Sequence, residues 1–384
     1  MNRVAIRMLI GDRAKYIGIL IGVTFASLLI TQQSAIFTGL MWRTVGGIVD
    51  LPHADVWVMD KKVQYIDDIK PMPDPSLQRV RGVEGVEWAM PLYKGLLKAR
   101  LPSGTFQTVN LFGIDDATLL GGPIEMVEGS LADLRKADAV IVDENGAQKK
   151  LAQVASDGRS RPLSVGDTLE LNDHRAIVVG ICRVSRTFQS QPVIYTTYSR
   201  ATQFAPRERK LLSFVLVKAR LGEDPTELAR RIEERTELAA LTAAEFRWKT
   251  MAYFLKYTGI PVNFGIAVTL GFLVGVIIAG QTFFNFALDN LRYFGALKAM
   301  GASGRTLVRM IVLQAAMVGL LGWCIGVGGA ALLGHLARDS ELAFKLPWQL
   351  LAISGGAVIV ICMVSALLCI WKVLRLEPAI VFKG

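Results

Sequence analysis

The sequence predicts a membrane α-helical protein with four transmembrane helices and one mixed α/β domain outside the membrane. Three observations predict it. Four runs, residues 16–40, 259–288, 310–334 and 347–371, contain no Asp, Glu, Lys or Arg. Each is long enough to cross a hydrocarbon core of ~30 Å, which needs about 20 helical residues. The stretch between the first two runs, 41–258, has instead the charged mixture of a water-facing domain. Basic residues gather at the flanks of the runs. Composition alone decides less: 52% of the 384 residues are hydrophobic, close to the ~45–50% of soluble proteins.

In chain order, residues 1–15 carry Arg3, Arg7, Arg13 and Lys15 against Asp12. That basic start fits a signal peptide, but the apolar run at 16–40 is too long and no small-residue cleavage pattern follows it. It is expected to be a retained helix. The segment 289–309 carries Arg292, Lys298, Arg305 and Arg309 against Asp289, and the tail 372–384 carries Lys372, Arg375 and Lys383 against Glu377. The loop 335–346 is balanced, with Arg338 and Lys345 against Asp339 and Glu341. Positive flanks stay on the cytoplasmic side. Both termini and 289–309 are therefore expected in the cytoplasm, with 41–258 and 335–346 outside.

Most of the net charge of +10 comes from these flanks. No Arg/Lys-rich run is interleaved with aromatics, so a nucleic-acid partner is not expected. Cys324, Cys362 and Cys369 lie in apolar runs and Cys182 is alone in the large domain, so no disulfide framework is expected.

Within the large domain, 55–60, 138–143, 177–181 and 213–218 read as strands by their β-branched and aromatic content. Residues 71–75, with three prolines, read as a rigid connector before a short helix at 76–81. A helix at 225–238 is expected, with Asp224 as N-cap and Leu228, Ile232 and Leu238 at helical spacing. Catalytic chemistry is not legible. No His-Glu-x-x-His or Gly-x-Ser-x-Gly occurs, and His53 and His174 have no ligand spacing. Asp67-Asp68 and Asp115-Asp116 would point to opposite faces if they lay in strands.

In the apolar runs, Gly18 and Gly22, Gly271 and Gly275, and Gly322 and Gly326 form G-x-x-x-G pairs. Such pairs allow close helix approach, within the chain or across a dimer; ordinary glycine enrichment explains them equally well. Gln32, Gln33, Asn263, Gln281, Asn285 and Gln314 are polar residues at depth. They read either as hydrogen-bonding glue between helices or as a substrate pathway.

Residues 288–309 read as an amphipathic helix on the inner membrane face, ended by Gly301 and Gly304. Its core is Tyr293-Phe-Gly-Ala-Leu-Lys-Ala-Met-Gly-Ala302. This segment resembles the coupling helix of the MacB/FtsX superfamily of ABC transporter permeases, whose pattern is approximately E-I-G-x-L-R-A-x-G-A. Leu-Lys-Ala-Met-Gly and the tail Leu376-Glu-Pro-Ala-Ile-Val-Phe382 are similar to the DevC branch. Val165-Gly-Asp-Thr-Leu-Glu-Leu171, followed by Ile177-Val-Val-Gly-Ile181, resembles the family's periplasmic pattern. The layout matches over the whole chain, the specific motifs over about a tenth of it.

The resemblance implies a MacB-like (type VII ABC) architecture in the inner membrane of a bacterial cell. It implies a homodimer in contact with membrane lipid, above an ABC ATPase subunit dimer that holds ATP and Mg. Asp289, Arg292, Tyr293, Gly295, Leu297, Lys298 and Gly301 would then be the ATPase-coupling residues. A periplasmic adaptor and an outer-membrane channel are further expected partners. This chain has no phosphate-loop sequence, so it is expected to bind no cofactor and no metal and to be no enzyme. Tyr293 departs from the family by replacing an acidic residue, with Asp289 a substitute one turn earlier. Three function classes follow: an exporter permease, an FtsX-like signal relay, and a receptor with no ATPase. The substrate is not legible.

Overall fold

The computed structural model describes residues 2–154, 160–206, 212–338 and 340–374. Asp339, Arg375, Glu377, Lys383 and the 376–382 motif lie outside the described residues. The chain divides into two compact units. One is Met41–Thr258; the other joins the residues through Leu40 to those from Gly259 onward.

In chain order the helical unit begins with α1 (Asn2–Gly11) and α2 (Arg13–Thr44). The large domain then runs α3 (Gly46–Val49), β1 (Val56–Met59), α4 (Pro75–Arg81), β2 (Val86–Arg100), β3 (Phe106–Ile114) and β4 (Glu125–Gly129). It continues with β5 (Ala139–Asp143), α5 (Glu144–Gln148), β6 (Gln153–Val154), β7 (Ser160–Arg161), β8 (Thr168–Leu171) and β9 (His174–Arg183). It ends with β10 (Val193–Thr197), α6 (Tyr198–Phe204), β11 (Phe214–Ala219), α7 (Pro225–Thr236), β12 (Ala239–Thr242) and α8 (Ala243–Tyr257). The helical unit resumes with α9 (Ile260–Asp289), α10 (Leu291–Ala299), α11 (Gly304–Leu336) and α12 (Trp348–Leu374).

Among the described residues four helices, α2, α9, α11 and α12, are long and apolar enough to cross a membrane. They extend past the uncharged runs, because a helix continues wherever its backbone bonds are satisfied, whether or not the residues are apolar. Arg13 and Lys15 thus sit inside α2, and Arg305 and Arg309 inside α11. The basic N-terminal segment is itself a helix. α1 buries Ala5 and Leu9, one turn apart, and exposes Arg3 and Arg7.

Glycines set how closely the membrane helices approach. A Cβ on Gly22 would lie 2.5 Å from Ile278 Cγ2, and one on Gly275 2.5 Å from Ala26 Cβ. On Gly271 it would meet Leu29 Cβ at 3.2 Å; on Gly322, Val23 Cγ1 at 2.7 Å; on Gly326, Ser27 Cβ at 2.6 Å. Gly18 is looser, 3.7 Å from Thr282. One face of α2 therefore rests on α9 and another on α11. These glycine faces are filled within the chain and are not left free for a second copy. The loop before α12 also folds back on its own unit. Lys345 N donates to Ala35 O (3.1 Å), and Ala343 lies against Gly39.

The large domain is built on a mixed sheet in the order β12-β1-β11-β2-β3-β10-β5-β9-β4, with β8 joining β2 to β9. β10 with β3 and β5 with β9 are parallel; the other pairs in this sheet are antiparallel. Alternation along each strand sends side chains to separate cores. Trp57 and Met59 of β1 join Phe214 and Leu216 of β11 in the central core. Val56 and Val58 join Val215 and Val217 in a second core, with Leu228 and Ile232 of α7. Val140 and Val142 of β5 enter a third, with Leu111 and Val178. Asp224 caps α7 as its sequence suggests, accepting from Thr226 N (3.1 Å), but α7 stops at Thr236. Glu237 follows with φ +60°.

α8 is fixed to the sheet at its start. Thr242 and Glu245 form a capping box, and Phe246 enters the central core beside Trp57 and Phe214 at 5.5 and 5.9 Å. The adjacent aspartates sit in turns rather than strands. Asp67 pairs with Lys94, Asp68 with Lys70 (2.7 Å), and Asp115 and Asp116 bind Thr118 and Ser199. Cys182 is buried, and burial pushes its thiol pKa up, which keeps it in the unreactive thiol form.

Adding a side chain where helices touch forces them apart, at about 1–3 kcal/mol. Gly275→Leu and Gly326→Leu are therefore expected to lower the thermal midpoint of the detergent-solubilised protein, read by tryptophan fluorescence. Gly328→Leu, with nothing within 4 Å, is expected to leave it unchanged.

Candidate functional site

The residues singled out between the second and third membrane helices form an elbow of three pieces: the last turn of α9, the nine-residue α10, and the first turn of α11. Asn290 makes the bend. Its Nδ2 donates to Phe286 O (2.8 Å), which keeps the amide satisfied while the chain changes direction. α10 then presents two faces. Phe294 is fully buried, Gly295 is buried beside it, and Leu297 is half-buried against the same helix core. That core includes Phe283, Phe286, Leu307 and Met310, together with Ala5 and Leu9 of α1.

The opposite face is open. Arg292 is exposed, Tyr293 is 64% exposed and Met300 is 76% exposed. Residues three to four apart share a helix face, so Tyr293, Ala296 and Met300 form one exposed stripe. Lys298 is half-buried and engaged within the chain.

The helix ends where the chain needs a left-handed residue. Gly301 has φ +93°; its N–H donates to Lys298 O (3.1 Å), and Ala302 N donates to Leu297 O (3.0 Å). This is the paired C-terminal cap in which glycine is preferred, because a Cβ penalises that conformation. Gly304 does not end the helix, as its sequence position suggested. It is the first residue of α11, where Ser303 Oγ accepts from Thr306 N (3.3 Å). The helix is Leu291–Ala299, shorter than the expected segment, because Asn290 and Gly301 interrupt the backbone ladder.

Asp289 is engaged. Lys15 Nζ donates to its carboxylate and, at 2.8 Å, to Asp12. The start of α2 is thereby tied to the end of α9, and Asp289 is not an unpaired stand-in for the family's acidic residue.

The three polar residues at depth differ in surroundings. Gln314 is 1% exposed and its Nε2 donates to Ala5 O (2.8 Å), so it joins α11 to α1. Gln281 and Asn285 are exposed on one face of α9, four residues apart. Sequence reasoning missed the anchor Phe294, the Lys15 contact and α1 as part of this site. The only local trace of α1 is Ala5 and Leu9 at helical spacing, alternating with Arg3 and Arg7, and it does not by itself mark a helix.

Comparison with known proteins places this arrangement. The profile of the MacB-like periplasmic core domain matches residues 16–235, more than half of the chain. The chain belongs to the MacB/FtsX family of ABC transporter permeases. The FtsX-like permease C-terminal profile matches residues 265–378, which includes the elbow. An uncharacterized ABC transporter permease of Mycobacterium tuberculosis is 25% identical over 316 residues, 82% of this chain and 80% of that one. One from Methanocaldococcus jannaschii is 26% identical over 193 residues, 48% of this chain and 47% of that one.

Among solved structures, the periplasmic region of MacB from Actinobacillus actinomycetemcomitans aligns with 52% of this chain and 94% of its own, at 15% identity and TM-score 0.37. The extracellular domain of the noncanonic ABC-type transporter YknZ from Gram-positive bacteria aligns with 49% and 98%, at 14% and 0.34. By the two family profiles and the four long apolar helices, the permease is a multi-pass membrane protein with a MacB-like periplasmic domain, in a family whose members work with an ATPase.

Within the elbow, Phe294→Ala removes the one aromatic that holds α10 on the helix core, at about 3–5 kcal/mol for a buried phenylalanine. It is expected to lower the thermal midpoint and to speed backbone hydrogen exchange across 291–299. Tyr293→Ala, on the open face, is expected to stay within about 0.5 kcal/mol of the parent in the same measurement.

Proposed function

We propose that the permease transmits the closing motion of a separate ABC ATPase dimer to its periplasmic domain, and so expels a lipid-like or small-molecule substrate. The observation that carries this reading is the two-faced α10. Phe294 fixes one face to the helix core, while Arg292, Tyr293 and Met300 are left for a cytoplasmic partner. A push on the open face moves the buried face with it, and the helix core contains side chains from α2, α9, α11 and α12. α2 and α9 are the helices that lead in sequence into and out of the large domain. Both termini and the elbow are then cytoplasmic, in an inner membrane, and a periplasmic adaptor with an outer-membrane channel would receive the substrate.

The working unit in this reading is a homodimer. Gln281 and Asn285 lie exposed on α9, within the uncharged run 259–288. Amides facing hydrocarbon are costly, and amides from a second copy are suitable partners. An FtsX-like relay is the second reading. It is favoured by the absence of charge in the four runs 16–40, 259–288, 310–334 and 347–371, which argues against a wide aqueous channel and suits a device that moves only its outer domain.

Affinity purification of the full-length protein in a mild detergent tests the main reading. An ATPase subunit is expected to co-purify in equal amount. Arg292→Glu with Met300→Asp should weaken its retention at least about tenfold, a change of ~1.4 kcal/mol. An intact preparation that carries no ATPase would overturn the proposal. Gln281→Leu with Asn285→Leu is expected to shift the protein toward monomer in cross-linking.

A further inference from the structure

A groove of about 820 Å³ runs between α11 and α12. No charged or amide side chain lines it. Its one indole N–H, Trp323 Nε1, is spent on Ser354 Oγ (3.0 Å), a bond that joins the two helices. Val312, Leu320, Ile359 and Leu367 of the lining are each half exposed or more, so the groove opens outward from the bundle. Space within it is real: a Cβ on Gly356 would meet nothing within 4 Å.

The groove has a direction. α11 and α12 run antiparallel, with Gly319 against Cys362 and Val358, and Trp323 against Ser354. Continued at the same pitch, that pairing sets Ile370, the last lining residue of α12, level with Arg309. On α11 the lining face extends toward the elbow beyond the groove itself. Arg305, Arg309, Val312, Ala316, Leu320 and Trp323 follow one another at spacings of three and four residues, which marks one face of a helix. Arg305 and Arg309 are exposed, and among the described residues neither forms an ion pair. An all-apolar groove thus ends, on its elbow side, at two uncompensated guanidinium groups one turn apart.

Length and charge select the occupant. On α11 the lining runs from Val312 to Trp323, about 16 Å at ~1.5 Å per residue. That is close to half of the ~30 Å hydrocarbon core, the depth of one leaflet. An acyl chain fits such a groove, and the arginines require that its headgroup be an anion. Guanidinium groups bind phosphate oxygens in pairs, and basic sites beside membrane helices recognise anionic headgroups.

A helix of a second copy is the competing occupant, and charge disfavours it. Each of the four uncharged runs is flanked by a basic residue on the elbow side: Lys15, Arg292, Arg309 and Lys372. In a two-fold dimer about the membrane normal those ends lie at one level. Any helix of the second copy would bring a further positive charge to Arg305 and Arg309, where like charges repel.

We propose that the groove between α11 and α12 holds an acyl chain of an anionic phospholipid from the cytoplasmic leaflet, with its phosphate on Arg305 and Arg309. The choice of leaflet rests on the topology in the proposed function, which puts the elbow in the cytoplasm. Arg305 lies in the first turn of α11, so the bound lipid braces the third piece of the elbow against α12. Arg292, Tyr293 and Met300, on α10, take no part in the site.

Binding is tested on the full-length permease, delipidated in detergent and titrated with phosphatidylglycerol or with phosphatidylcholine of the same acyl chains. Bound lipid is counted by native mass spectrometry. Phosphatidylglycerol is expected to bind at least about tenfold more tightly, a difference of ~1.4 kcal/mol. Arg305→Gln with Arg309→Gln should erase that preference. Gly356→Phe places a ring in the open part of the groove and should weaken phosphatidylglycerol about tenfold with both arginines present. Because Gly356 lies outside the elbow, this variant should still retain the ATPase, so the lipid site and the coupling surface fail separately. The proposal is overturned if the two lipids bind equally or if the arginine variant keeps the preference. It is also overturned if Gly356→Phe leaves phosphatidylglycerol binding unchanged, or if that variant turns a cross-linked dimer into monomer, which would assign the groove to a second copy.

Discussion

The structure of this permease depends on close backbone approach between helices that have no hydrophobic reason to associate. In hydrocarbon the surrounding lipid is as apolar as the side chains, so packing distance carries the association. α2 shows how it is met. Val23, Ala26, Ser27 and Leu29 fill the notches left by Gly322, Gly275, Gly326 and Gly271. A single helix thereby contacts both α9 and α11 over several turns. Ser27 Oγ adds a hydrogen bond to Trp323 O (3.3 Å), and Lys15 ties the start of α2 to Asp289. A bundle held by short steric contacts moves as a body, because such contacts break rather than stretch. The proposed relay needs that property, since a displacement of α10 that the bundle absorbed would reach nothing else.

The same dependence explains which parts were legible in the sequence. The membrane helices were readable because the bilayer imposes a length and excludes charge, and both are properties of a string of residues. The strands at 55–60 and 138–143 were readable for a related reason: each is buried on both faces, so its apolar residues run nearly without interruption. α1 was not readable. Its ten residues lack a strong cap signal, and Ala5 and Leu9 become a buried face only because Leu307, Met310 and Gln314 meet them. β2 was not readable for the opposite reason. Its fifteen residues contain Pro91, Lys94 and Gly95, which interrupt any local strand pattern. Partners distant in sequence, β11 and β3, supply the pairing that local preference does not.

Polar residues make the limit sharper. Gln281, Asn285 and Gln314 are indistinguishable as amides in apolar runs, yet Gln314 is spent on a backbone carbonyl of the same chain while the other two face outward. Lys94 reads as a surface residue, yet its side chain is buried and pairs with Asp67, 27 positions away. In both cases the chemistry of the residue was plain and its partner was not. Sequence reading names the donors and acceptors; the fold decides which are consumed and which are left over for a ligand or a second protein.

What remains unconsumed defines how this permease can dock. Where the family pattern has a carboxylate, the open face of α10 presents a phenol, and the nearest acid, Asp289, is occupied by Lys15. The surface left is a positive and apolar mixture: Arg292 beside Tyr293 and Met300, with Arg305 and Arg309 exposed on the adjoining turns of α11. An ATPase groove that fits it must supply the acid and an apolar pocket, which reverses the charge expected from the family pattern at that point. Exposed ion pairs contribute little on their own, so in the proposed docking the apolar contact of Tyr293 and Met300 would carry much of the force. That requirement agrees with the inner face of α10. There too a single aromatic, Phe294, rather than a salt bridge, fastens the lever to the bundle. In the proposed relay, apolar anchoring on both faces would let the elbow transmit a push without breaking a charge pair at each cycle.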